Sequence, residues 1–206
     1  MGSCRDRKLV IPPTTPWGGK VTYISGGAFS DNVLLTHVSI PYGVTAIGGN
    51  AFFNCDRLRR VDIPDSVTLI DNHAFYNCKL LPRIVIPPRV TRIGETAFCC
   101  CEYLKEVVFP HRVDKMDIGD GAFEHCSRME RIRIPQGVLS IGRSAFYYCS
   151  SLTHVFIPQS VEIIDEFAFT NIGDATIYCE HPSQPEEWHP NWNFQNHRVV
   201  WNYKPE

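Results

Sequence analysis

The chain has 206 residues, 44% of them hydrophobic and 20% charged, with a formal net charge of −2. That is enough apolar material for a folded core, and the charge balance gives no general pull toward nucleic acid or an anionic membrane surface. No stretch approaches the ~18–20 consecutive apolar residues of a bilayer-crossing helix, so membrane insertion is not expected.

In chain order, Met1 to Gly19 lacks the apolar run of a secretory signal. The opening Met-Gly-Ser-Cys departs from an acylation signal at Asp6, so neither leader nor lipid anchor is expected. Leu9-Val10-Ile11-Pro12 reads as the strand end of an incomplete repeat, followed by a Pro/Gly-rich insertion from Pro13 to Lys20. The chain then becomes periodic. Ala-Phe pairs stand at Ala28-Phe29, Ala51-Phe52, Ala74-Phe75, Ala97-Phe98, Ala122-Phe123, Ala145-Phe146 and Ala168-Phe169, spaced by 23, 23, 23, 25, 23 and 23 residues. A fixed period of this size marks a solenoid, in which no coil buries its apolar face alone. One continuous domain is expected, with 1–23 as an N-terminal partial repeat and cap, 24–173 as the repeats and 174–206 as an aromatic C-terminal cap.

Within a unit, apolar residues recur at fixed offsets from Phe: +6, +9, +11, +15 and +18. Alternation at +9 and +11 (Val38/Ile40 through Val155/Ile157) with β-branched residues predicts a short strand with one face inward. Pro at +12, from Pro41 to Pro158, ends the pairing because it has no N–H to donate. A second short extended segment follows, such as Val67–Ile70 or Val161–Ile164, then a turn often carrying Gly48, Gly94 or Gly142. The Ala-Phe corner is too short for an ordinary helix and is expected to be a turn or a single 3-10 turn. The fold class is thus a β-rich solenoid of parallel strands with ~23-residue coils. Two extra residues between Val113 and Ile118 predict a protruding loop near Asp114–Asp117. Trp188, Trp192, Phe194 and Trp201 are expected to cover the open last coil.

Five of the nine cysteines fall at +3: Cys55, Cys78, Cys101, Cys126 and Cys149. One per coil makes a buried column of small side chains with weak S–H donors, and mostly free thiols are expected. Zinc would need ligands converging at one point, and the odd total suits a reducing compartment. His181, His189 and His197, near Cys179 and Glu180, match no zinc spacing and read as structural or solvated. No phosphate loop or nucleophile elbow is present. Neither catalysis nor a cofactor or metal is expected.

The unit Ala-Phe-x-x-Cys-x-x-Leu-x-x-Val-x-Ile-Pro-x-x-Val-x-x-Ile-Gly, held from residue 24 to 170, resembles the BspA-like leucine-rich repeats. The tail with Trp188, Trp192 and Val200-Trp201 resembles the ending common in that family. The resemblance implies a leucine-rich-repeat solenoid, a non-catalytic role in protein binding or adhesion, and a cell-surface or secreted setting.

If the +9 and +11 residues point inward, the +8 and +10 residues point outward. Val85 and Val108 side by side, bordered by Arg60, Arg83, Glu106, Arg131, Arg133, His154 and Phe156, give the apolar centre and arginine rim of a protein-binding patch. A protein partner on this sheet face is the expectation. Two alternatives stay open: a structural role in assembly through the open ends, and carbohydrate binding through exposed Trp188, Trp192 and Trp201.

Overall fold

Each coil consists of two short strands and a corner, and the corners carry most of the repeated residues. The computed structural model describes residues 7–205; the expectation for the acylation-like start lies outside them. The strands in the first half are β1 (Lys8–Val10), β2 (Tyr23–Ile24), β3 (His37–Ser39), β4 (Ala46–Ile47), β5 (Arg60–Asp62), β6 (Leu69–Ile70), β7 (Arg83–Val85) and β8 (Arg92–Ile93). Those in the second half are β9 (Glu106–Val108), β10 (Arg112–Ile118), β11 (Arg131–Arg133), β12 (Gln136–Ile141), β13 (His154–Ile157), β14 (Ile163–Ile164), β15 (Thr176–Cys179) and β16 (Arg198–Val200).

All strand pairs are parallel. One continuous ladder runs β2-β4-β6-β8-β10-β12-β14. The other, the front, runs in three pieces, β1-β3-β5, β7-β9 and β11-β13-β15-β16. Its register pairs the predicted columns, for instance Arg60 with His37 and Phe156 with Arg133. Leu9 pairs with Val38, so the partial repeat does supply the first front strand. The insertion that follows it closes on itself through a Thr14–Lys20 bridge, with Trp17 89% exposed at its tip.

The corners are turns, and two residues in each take a left-handed conformation. One precedes Ala (Asn50, φ 58°; Thr96, φ 47°) and one follows Phe by two (Asn54, φ 56°; Asn77, φ 58°). Asn tolerates that region better than most residues, and here its side chain also links neighbouring coils, Asn77 Nδ2 donating to Asn54 Oδ1 at 2.9 Å. The corners also form a ladder of their own: the Phe52 N–H donates to Ala74 O and the Phe75 N–H to Ala97 O, both at 2.8 Å. Ala can sit there because the coils come close. Phe fills the space beneath, and successive rings from Phe29 to Phe169 stack with centroids 5.2–5.4 Å apart. The six from Phe52 onward are completely buried, each contributing roughly 1.5–3 kcal/mol of transfer free energy.

The cysteine column is buried as expected, and each thiol has a specific acceptor. Cys78 Sγ donates to Phe52 O, Cys101 Sγ to Phe75 O and Cys126 Sγ to Phe98 O, all at 3.3 Å. The sulfur thus ties each coil to the one before it. All eight described cysteines are free. Burial pushes the Cys55 and Cys179 thiols up to about 12 and the fully buried column members well above their ordinary value.

Two expectations need correction. The two extra residues of the fifth coil form no protruding loop. They are absorbed into β10, a seven-residue strand whose register against β12 shifts on both sides of Met116. A bulge takes up surplus residues while Val113, Met116 and Ile118 stay buried. At the C-terminal end, Trp188 and Trp192 are buried, with ring centroids 5.0 Å apart, and Trp192 packs edge-on against Phe169 at 5.9 Å. Trp201 joins them at 6.0 Å from Trp188. Phe194, expected in this cover, is instead 56% exposed and touches only the edge of Phe167 among the aromatic rings.

Candidate functional site: the front sheet and its aromatic groove

The front strands alternate as the periodicity predicts. In β5, β7 and β11 the middle residue is buried and the outer two are exposed. Arg60 is engaged by Asp62 of its own strand at 2.9 Å, and Arg83 reaches across to Glu106 at 2.7 Å. These are exposed pairs, worth little in stability. Val85 lies opposite Val108 and is 44% exposed. Arg131 is exposed with His154 beside it in register.

Toward the C-terminal end the face changes character. The Arg133 guanidinium lies over the Phe156 ring, 4.2 Å from its centroid. Phe156 stacks on Tyr178 at 5.0 Å, and Tyr203, returning from the tail, packs against both at 5.4 and 5.1 Å. His154 stacks on Tyr178 at 5.8 Å. A half-exposed aromatic platform with a cation above it is the composition of an interface anchor.

Beside the platform, where β9 and β11 are not joined in the front ladder, a groove of about 490 Å³ opens. It lies in the coil with the 25-residue fourth spacing, whose surplus residues are taken up in the bulged β10. The groove brings together four of the predicted residues, Glu106, Val108, Arg133 and Phe156. It adds Phe109, Gln136, Glu180 and Tyr203. Glu180 is fixed at its edge, accepting from Gln136 Nε2 at 2.7 Å and from the Gln159 N–H at 3.0 Å. Arg60, Arg83, Val85, Arg131 and His154 lie on the same face but outside the groove lining.

Sequence reasoning passed over Tyr178 and Tyr203. Tyr178 pairs with Phe156 because the last coil is one residue short, 22 from His154 to Thr176, which moves the outward column by one place. The alternation of buried Ala175, Ile177 and Cys179 was the signal. Tyr203 lies beyond the repeats, and no periodicity points to it.

The exposed indoles needed for carbohydrate binding are not there: Trp188 and Trp192 are 1% and 2% exposed, and Trp201 is half-buried. His181 stands edge-on to Trp188 at 5.2 Å, and His189 Nδ1 accepts from the Asn191 N–H. Burial lowers the pKa of His197, opposed in part by the Asp174 carboxylate. No helix among the described residues is long and apolar enough to cross a membrane.

Parallel ladders stacked at a 23-residue period, with a Phe column inside and a variable outer face, define a leucine-rich-repeat scaffold. The BspA type leucine rich repeat region matches in six copies over residues 22–117 and 116–194. The chain belongs to that family. Among solved structures it is similar to a leucine-rich repeat protein of T. pallidum, at 26% identity over 95% of this chain and 86% of that one, with a TM-score of 0.69. It is also similar to a leucine-rich repeat protein of Bacteroides ovatus, at 28% identity over 88% of this chain with a TM-score of 0.61, and spans 52% of that protein. The pneumococcal vaccine antigen PcpA shares the fold at 14% identity and a TM-score of 0.50, over 91% of this chain and 69% of that one. No curated protein matches the chain.

Proposed function

We propose that the protein is a non-catalytic binding scaffold that captures a protein partner on its front sheet. The anchor is the groove and platform formed by Glu106, Val108, Arg133, Phe156, Tyr178 and Tyr203. The observation that carries this reading is the clustering of three aromatic rings and an arginine beside the second of the two breaks in the front ladder, between β9 and β11. Buried rings would be cap material, whereas half-exposed rings beside a groove offer area that a partner can cover. The remaining outward residues extend the contact, Val85 as apolar surface and Arg60, Arg83, Arg131 and His154 as a polar rim.

The family resemblance supports a surface or secreted setting, and the thiols do not oppose it. Thiolate is the form that oxidises, and thiols held at about 12 by burial provide almost none at neutral pH.

The test uses immobilised wild type beside a Phe156→Ala/Tyr203→Ala variant and a Tyr147→Ala control on the corner side, with cell extracts and quantitative mass spectrometry. A protein retained by wild type and control but lost from the groove variant, with melting temperatures matched, is the expected result. Equal retention by all three would overturn the reading.

A further inference from the structure

The rim through which the chain approaches the front strands carries a second feature, independent of the aromatic groove. At its N-terminal end, Arg7, Arg57 and Arg59 surround a hollow of about 400 Å³ whose other walls are Leu34, Thr36 and Leu80. The backbone here is well tied. Arg7 O accepts from the Thr36 N–H at 2.7 Å and from Thr36 Oγ1 at 2.6 Å, and the Arg59 N–H donates to Thr36 O at 2.8 Å.

Among the described residues, the three guanidiniums have no counter-charge in place. None of the ion pairs among the described residues involves them, and none of the described residues that line the hollow is a carboxylate. Asp56 is next to Arg57 in the chain, yet its Oδ1 is buried and has no hydrogen-bond partner. Arg60, one residue beyond Arg59, is already engaged by Asp62. Arginine stays protonated at any ordinary pH, so the three lining one hollow offer an anion a concentrated positive charge with many N–H donors. The whole chain carries −2, so the feature is a local concentration of positive charge and not a by-product of a basic protein.

The two leucines decide the kind of anion. Leu34 is 39% exposed and Leu80 shares the hollow, so the ligand must present aliphatic surface alongside its negative charge. A sulfated glycan would supply the charge but leave Leu34 and Leu80 facing hydroxyls instead of aliphatic surface. A peptide with carboxylates flanking an aliphatic side chain satisfies both, since the guanidinium fork matches a carboxylate in two hydrogen bonds. We propose that the Arg7–Arg57–Arg59 hollow binds an acidic polypeptide segment that carries an aliphatic residue beside its carboxylates.

Fluorescence anisotropy with a labelled Glu-Glu-Leu repeat peptide tests this, with the Gln-Gln-Leu counterpart and heparin as separate arms. Wild type should bind the acidic peptide and not its amide counterpart. In Arg57→Gln/Arg59→Gln the affinity should fall by about tenfold or more, as expected for losing charge-assisted hydrogen bonds, and in wild type it should weaken with added salt. Both arginines are exposed, so the unliganded variant should melt with wild type. Equal binding by the variant, binding of heparin without the peptide, or no peptide binding to wild type would each overturn the proposal.

Discussion

The corners and the front sheet of this solenoid follow opposite rules. Around the corner the same residues return in coil after coil: Ala, Phe and Cys are fully buried from Ala51 to Cys149, and their hydrogen bonds repeat with the same partners. Along the front, each coil presents a different outward pair: Arg60/Asp62, then Arg83/Val85, Glu106/Val108, Arg131/Arg133 and His154/Phe156. Stacking demands sameness where coils touch and leaves the solvent-facing side free to vary. Stability is therefore concentrated in the corners, and recognition on the face.

The largest effect that would sharpen this contrast comes from the Phe column. Phe98→Ala removes a ring stacked on both neighbours and should cost about 3–5 kcal/mol, read by denaturant unfolding. Arg131→Ala on the front should stay within about 0.5 kcal/mol of wild type. If the two losses were similar, the division of labour would be broken.

Next in size is the close approach of the coils. A Cβ on Gly94 would stand 2.5 Å from the Asn72 backbone nitrogen and 2.6 Å from the Asp71 carbonyl carbon. Gly94→Ala should therefore cost about 1–3 kcal/mol, seen as a lowered melting midpoint.

Thr96 runs the other way. It is β-branched, left-handed at φ 47°, and its buried Oγ1 has no hydrogen-bond partner. The equivalent position in the next coil is Gly121. Thr96→Gly should stabilise the protein by about 1 kcal/mol, because relieved strain and desolvation outweigh the entropy lost by glycine. A lowered midpoint would show that the methyl contact matters more.

The smallest effect belongs to the cap. His197 has its pKa lowered by burial, so the unfolded chain takes up that proton first. Its stabilising contribution is fully present above the ordinary histidine value of 6.5 and is lost as pH falls through the lower folded value. His197→Gln should flatten that part of the melting-temperature profile; an unchanged profile would place the titration elsewhere.

Much of the fold could be read from spacing alone. The +8 to +10 offsets locate β3, β5, β7, β9 and β11 to the residue, because a register-locked ladder converts a sequence period directly into space. The count also showed two surplus residues in the fifth coil but not where they would go; alternation at Val113, Met116 and Ile118 let a strand absorb them. The outward residues were legible as a face, whereas the groove was not. It depends on a break in the ladder, a one-residue slip before Tyr178 and the return of Tyr203 from outside the repeat. Each of these is a departure from periodicity, and a periodic reading is least informative there.

Hydrogen exchange of the protein alone and with the partner it captures tests the division between corner and face most directly. The account predicts slowed exchange at residues 106–112, 133–136 and 178–180 along the groove, with the corner segment 94–101 unchanged. Protection confined to the corners or to the β2–β14 ladder, with the groove unaffected, would contradict it.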